Sequence, residues 1–339
     1  MANLVLTQSC SKNCAYCFAR DFRLDKTAGS TEMSLETVAR VLDKVEADRI
    51  VGQGNNPPRV SLLGGEPTMH SQFSEILDLC VQRKIDITLV SNFLFDASIR
   101  DKLIALINQK VRISFLVNST ELRNEKRLQT FSENYNAIYS ATQAITPTEQ
   151  RVTCGFTLDG ELLSLAGFSS YIDFLAVHLK EITAARISLN SPGAPEGKEK
   201  YYFLNNKDLG NLVYNIAKKL LSMGINPNTD CITYPCMYRS DNIFAFLNRH
   251  VVNSSNYICR EPPEDFLPDG TARFCFPTLP IQVDGKKYRS ESGIRDALKA
   301  KYEKIRKEIT LPRECQQCSY LKNKQCVGPC LGFADLSKY

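Results

Sequence analysis

Apolar positions in the first 225 residues follow two alternating periods. Short apolar or alternating runs read as strands: NLVLTQ (3–8), RVSLL (59–63), DITLVSN (86–92), VRISFLV (111–117), RVTCGFTL (151–158) and RISLN (186–190). The segments between them carry a 3.6-residue period. Leu35, Val38, Val41, Leu42 and Val45 share one face of a helix over 34–50, with Ser34 as its N-cap. Phe73, Ile76, Leu77 and Cys80 form the next stripe, and Ile99, Leu103, Leu106 and Ile107 the third. Further helices are expected around 132–145 and 169–180. Another is expected over 208–224, where Leu209, Leu212, Val213, Ile216 and Leu220 face inward.

Six strands, each followed by a helix, imply parallel pairing through right-handed crossovers. Repeated in this way, such units curl into a full or partial barrel; a doubly wound open sheet is the alternative that periodicity leaves open. The expected class is α/β, a partial (β/α)6 TIM-like barrel over residues 1–225. From 226 to 339 the alternation stops, and cysteines, prolines and turns dominate a smaller second module.

Composition narrows this picture. Hydrophobic residues make up 43% and charged residues 23%, ordinary for a globular protein. The net charge of +5 is mild and scattered, which gives no argument for nucleic acid as a partner. No apolar run is long enough to span a membrane and no secretory signal is evident, so a cytoplasmic location is expected. Thirteen cysteines are the anomaly. In a reducing compartment they point to metal or redox chemistry rather than disulfides.

The first cluster, CSKNCAYC, places Cys10, Cys14 and Cys17 in the loop after the first strand. At the C-terminal end of a barrel strand, that is where chemistry is expected. Three thiolates are one too few for a closed tetrahedral zinc site, but they can hold a 4Fe–4S cluster with one iron left open. The spacing Cys10-x3-Cys14-x2-Cys17, with Tyr16 before the last cysteine, resembles the cluster loop of the radical S-adenosylmethionine enzymes. LLGGEPT (62–68), after the second strand, is similar to that family's glycine-rich motif.

The resemblance implies the family's partial (β/α)6 barrel. It also implies that the open iron chelates S-adenosylmethionine, that one electron cleaves its C–S bond, and that the resulting 5′-deoxyadenosyl radical abstracts hydrogen from a substrate. Gly64, Gly65, Glu66 and Pro67 would border the cofactor's methionine part, the bare glycines letting the backbone approach it. Tyr16, Ser91, Asn92, Asn118 and Asn190 are further candidate contacts, being in the cysteine loop or at later strand ends. Capping of turns is the competing role for the strand-end residues.

The C-terminal cysteines, Cys259-x10-Gly270-x4-Cys275 and Cys315-x2-Cys318-x7-Cys326-x3-Cys330, resemble the SPASM module, which carries auxiliary 4Fe–4S clusters in peptide-modifying radical enzymes. Asp269-Gly270 predicts a hairpin that brings Cys259 and Cys275 together. The chain departs from the family pattern twice: the gap before Cys326 is seven residues instead of five, and no cysteine follows Cys330. Three readings stay open. Cys231 or Cys236 supplies the missing ligand, or one auxiliary iron is open, or a single cluster forms as in the shorter twitch variant. By analogy, Cys259, Cys275, Cys330 and an upstream thiol hold one cluster, and Cys315, Cys318 and Cys326 the other. Zinc is the alternative occupant of these cysteines.

Cys80 reads as a core residue. Cys154, Cys231 and Cys236 are candidate hydrogen-atom donors to a substrate radical, with a core role favoured for Cys154. The three histidines carry no metal-ligand spacing, and KYEKIRK (301–307) reads as the solvated face of a helix. The expected activity is modification of a ribosomally made precursor peptide: a crosslink, thioether, epimerisation or oxidation. An electron donor of flavodoxin or ferredoxin type would serve it. Nine residues precede Cys10, so leader recognition, if any, is expected from a separate binding protein or another surface of the chain. Modification of a small molecule, such as a dehydrogenation, and a zinc-stabilised binding protein are the rival functions.

Overall fold

A computed structural model describes residues 2–17, 19, 31–50, 57–189, 206–229, 234–238, 241–251, 264–275 and 281–333. The six expected strands are β1 (Ala2–Val5), β2 (Arg59–Leu63), β3 (Asp86–Ser91), β4 (Ile113–Asn118), β5 (Val152–Leu158) and β6 (Ala184–Leu189). They pair in parallel and in sequence order. A doubly wound sheet needs a point where strand order reverses. These strands have none, so repeated right-handed crossovers place every helix on one side. The fold is the TIM-like partial barrel.

The helices between the strands are α1 (Leu35–Ile50), α2 (Phe73–Gln82), α3 (Ala97–Asn108), α4 (Glu125–Ile145) and α5 (Leu165–His178); α6 (Lys207–Ser222) follows β6. Ser34 caps α1 as expected, accepting from Thr37 N–H at 3.2 Å. Helix α4 starts seven residues before the expected 132. Asn124 accepts from Arg127 N–H at 3.1 Å and nucleates two polar turns that carry little apolar signal.

Each strand has two unlike faces. Ile87, Leu89, Ile113, Phe115, Val117, Val152, Cys154 and Phe156 are buried beneath the helices. Their neighbours Thr88, Val90, Ser114, Leu116 and Thr153 are partly accessible on the barrel's inner side. Burying a Phe on the helix side contributes about 1.5–3 kcal/mol, and Phe93, Phe115, Phe131, Tyr135 and Tyr139 form a chain of ring contacts there.

Strand–helix alternation does not end at 225. A seventh parallel strand, β7 (Asn226–Thr229), pairs with β6 at the end of the sheet, followed by α7 (Asp241–His250). The predicted hairpin forms: β8 (Glu264–Phe266) and β9 (Thr271–Phe274) pair antiparallel across Gly270, whose φ is 87°. Strand β8 also pairs in parallel with β1, and β10 (Gln282–Asp284) continues the sheet beyond β9. The C-terminal segment therefore extends the barrel sheet at its β1 edge. Helix α8 (Glu291–Glu308) packs on α1, where Asp48 accepts from Ser292 N–H and Oγ–H at 2.7 and 2.6 Å. Two one-turn helices follow, α9 (Arg313–Gln316) and α10 (Ser319–Lys322). Among the described residues, no helix is long and apolar enough to cross a membrane.

Candidate active site at the strand ends

The loop after β1 lies against the loop after β2. Gly65 N–H donates to Thr7 O and Glu66 N–H to Ser9 O, both at 2.7 Å. A Cβ on Gly65 would fall 2.2 Å from Ser9 O, and one on Gly64 2.7 Å from Thr7 O; Gly64 also has φ of 140°. The glycines are thus required by close approach of the cysteine loop's own backbone. The space where their side chains would lie is taken by backbone atoms of residues 7–9.

Glu66 ties this loop to the third strand. Its buried carboxylate accepts from Thr68 N–H and Oγ1–H, from Ser91 Oγ–H at 2.8 Å and from Asn92 N–H at 2.7 Å. Burial nevertheless pushes its pKa above the usual carboxylate range. Glu66 and Ser91, both candidate cofactor contacts, have their polar atoms committed to protein partners. Pro67 is buried at the first position of the turn Pro67–Met69. Asn92 reaches the cysteine loop: its Nδ2 lies 3.1 Å from Ser11 Oγ and 3.9 Å from Cys10 Sγ.

The cysteine loop is clamped from the other side by the loop after β4. Lys12, only 2% exposed, donates from Nζ to Thr120 O at 2.7 Å. The Tyr16 hydroxyl bonds Thr120 Oγ1 and lies 3.4 Å from Asn118 Oδ1, which also accepts from Thr120 Oγ1–H at 2.7 Å. Tyr171 on α5 fixes that loop in turn, donating to Ser119 O and accepting from Leu122 N–H. Tyr16 and Asn118 are therefore bound to each other's loops. Neither Lys12 nor Thr120 carried a sequence signal, since 108 residues separate them.

Within this frame Cys10 and Cys17 are half-buried and Cys14 is buried. Cys17 packs with Val5, Leu63, Val90, Ala19 and Leu267 on the inner face of the sheet. Cys10 Sγ accepts from Lys12 N–H at 3.4 Å, the kind of donor that favours a thiolate. Burial pushes the Cys14 thiol up to about 11, with the Lys12 ammonium pulling the other way. Cys154 lies elsewhere. It is fully buried on the helix side of β5, against Tyr135 and Ser119, with its thiol pushed up to about 11 by burial. Its side chain is thus on the face of β5 that packs under the helices.

In the C-terminal segment Cys236, Cys315, Cys318 and Cys326 line one small pocket with Tyr234 and Tyr320. Cys236 thus joins the group it was not assigned to by analogy. Cys275 follows β9, and Cys330 accepts from Gly332 N–H at 3.4 Å. Asn190, Cys231 and Cys259 lie outside the described residues. Among those described, no group of three or more His, Cys, Asp or Glu side chains is arranged to hold a metal ion.

Residues 4–159 match the Radical SAM superfamily. This radical SAM match spans β1 to β5 and contains both the cysteine loop and the GGEP loop. No curated protein sequence matches the chain. Among solved structures, SuiB of Streptococcus suis bound to S-adenosylmethionine aligns with 98% of this chain and 72% of its own, at TM-score 0.64 and 17% identity. SuiB bound to the precursor peptide SuiA aligns over 98% and 71%, at TM-score 0.60 and 16% identity. The enzyme anSMEcpe with bound AdoMet and the Cp18Cys peptide aligns over 98% and 89%, at TM-score 0.55 and 16% identity. At these identities the likeness is one of fold.

Proposed function

We propose that the chain is a radical SAM enzyme that modifies a ribosomally made peptide. The observation that carries the first half is the mutual bracing of the cysteine and glycine loops inside the matched region. The three thiols fit an iron–sulfur cluster: they are all soft ligands, on one loop, with N–H donors aimed at Cys10. When bound, a reduced cluster with an open iron would supply the one electron that breaks the C5′–S bond of S-adenosylmethionine, giving methionine and a 5′-deoxyadenosyl radical.

The chain's own residues do the rest. Thr7, Ser9 and Glu66 fix the loop against β2 and β3, and Lys12 and Tyr16 fix it against β4. Val5, Leu63 and Val90 offer an apolar inner face beside Cys17, which keeps water from a reactive radical. A cluster on the C-terminal cysteines and a peptide substrate are supported by the SPASM-like cysteine order and by fold neighbours solved with peptides.

Anaerobically reconstituted protein given dithionite and S-adenosylmethionine should release 5′-deoxyadenosine, and Cys14→Ala should not. Equal release by both proteins, or by neither, overturns the reading. A short open reading frame beside the gene would supply the peptide to test. Crosslinking or oxidation changes its mass, and epimerisation introduces solvent deuterium.

A further inference from the structure

Four thiols from three separate segments meet in the C-terminal cavity, and each segment is built to bring its cysteine there. Cys236 sits in the turn Pro235–Met237. That turn is held to the barrel helix α6 by Lys207, whose Nζ donates to Cys236 O at 2.6 Å and Tyr238 O at 2.9 Å. Gly210 of α6 permits the approach, since a Cβ there would lie 2.0 Å from Met237 O. Cys315 lies in α9, and Cys318 N–H donates to Cys315 O at 3.2 Å as the chain turns into α10. The long gap before Cys326 is taken up by that helical turn: Lys324 adopts φ of 58°, and Cys326 N–H returns to Tyr320 O at 3.1 Å.

The Cys326 loop has its own clasp. Arg306 donates to Val327 O at 2.7 Å and Pro329 O at 3.0 Å, while its guanidinium rests on the Tyr302 ring. Gly328 N–H donates to Cys326 Sγ at 3.3 Å, a contact that favours a bound thiolate.

We propose that Cys236 completes a four-thiolate site with Cys315, Cys318 and Cys326, and that this site takes a 4Fe–4S cluster with every iron held by protein. It rests on the reading of the chain as an iron–sulfur protein. A zinc ion draws its ligands to about 2.3 Å of one point, whereas these four thiols are spread around a pocket lined also by Tyr234, Tyr320 and Leu321, and among the described residues no three such ligands are placed to hold one metal ion. A cubane takes one thiolate at each iron and so fits ligands spread around a cavity. The fourth ligand then comes from the loop after β7. With all four positions filled, no iron at this site is open to substrate, and its role is electron storage or relay.

The test uses the full chain, purified anaerobically, in a Cys10→Ala/Cys14→Ala/Cys17→Ala background that removes the N-terminal site. Cys236→Ala should lose about four irons per chain, or show the signal of a three-iron cluster by electron paramagnetic resonance. Cys236→Ser, which preserves volume, should keep the iron but shift the spectrum of the dithionite-reduced cluster; it decides the matter if Cys236→Ala fails to fold. Cys80→Ala, in the distant core, should match the background. Unchanged iron and spectra in both Cys236 variants, or zinc in place of iron, overturns the proposal. Failure of wild type to cleave S-adenosylmethionine would sink the enzyme reading and leave this iron count untouched.

Discussion

Glu66 and Asn92 join the ends of two neighbouring strands: the carboxylate after β2 accepts the backbone N–H after β3 at 2.7 Å. Asn92 in turn extends its amide to Ser11 in the cysteine loop. Three strand ends are thereby locked through one buried acid. Glu66→Ala should leave several buried donors unsatisfied and lower stability by about 3–5 kcal/mol, at roughly 1–3 kcal/mol per orphaned group. Glu66→Gln restores one acceptor oxygen and sets an NH2 against a donor, so its loss should be smaller, about 1–2 kcal/mol. Urea denaturation under anaerobic conditions measures both. Equal, negligible losses would show that the acid is not the lock.

Gly65→Ala tests the loop apposition. The new methyl would meet the carbonyls of Ser9 and Gln8, backbone atoms that cannot swing aside. The cysteine loop must shift, at a cost of about 1–3 kcal/mol, and iron bound by Cys10, Cys14 and Cys17 should fall. Iron per chain and deoxyadenosine release should decline together. If S-adenosylmethionine affinity alone changed, the glycine would be serving the ligand and not the loop.

The six strands of the barrel were legible because each apolar run is followed by an amphipathic stripe that buries it. The seventh was not, since Asn226-Pro227-Asn228-Thr229 has no apolar residue. It forms because β6 offers an edge and because a proline is tolerated at the end of a sheet. The β8–β9 hairpin was legible from Asp269-Gly270, but the docking of β8 onto β1 was hidden for a related reason. Glu264 and Asp265 are buried there, which a hydrophobic pattern cannot foresee; Arg295 pairs with Glu264, and Asn3 donates to Asp265 at 2.8 Å. The cysteine and glycine motifs stand out in the sequence by their spacing. Their bracing was not legible, because Lys12 bonds Thr120 and Cys236 shares a pocket with Cys315 across distant segments. The basic run holding Arg306 has the spacing of a solvated face, and Lys301, Lys304 and Lys307 are exposed. Only the loop that Arg306 clasps, twenty residues on, shows why it turns inward.

Arg306→Lys should therefore be far from conservative. An ammonium cannot span two carbonyls and the Tyr302 hydroxyl as the guanidinium fork does. The Cys326 loop should loosen, and iron at the C-terminal cysteines should become more readily removed by a chelator. Chelation rates of wild type and variant, each in the background lacking Cys10, Cys14 and Cys17, measure this. Lys307→Ala, on the exposed side of the same helix, should leave the rate unchanged.

Asp265 predicts a pH dependence. Burial pushes its carboxyl up to about 6, against the pull of Asn3 and Arg273 and with Glu264 adding to the rise. Folding then favours the protonated form. The contribution to stability is full below the unfolded pKa, near 3.9, and is lost as pH rises through about 6. The loss is about 3 kcal/mol at most, from a shift of roughly two units at 1.36 kcal/mol each. Asp265→Asn keeps the shape and removes the titration, so its stability should stay flatter than wild type from about pH 4 to about pH 7. Denaturation midpoints across that range compare the two slopes. Parallel curves would mean that Arg273, beside Asp265 in the register of β8 and β9, already holds the carboxylate ionised in the folded chain.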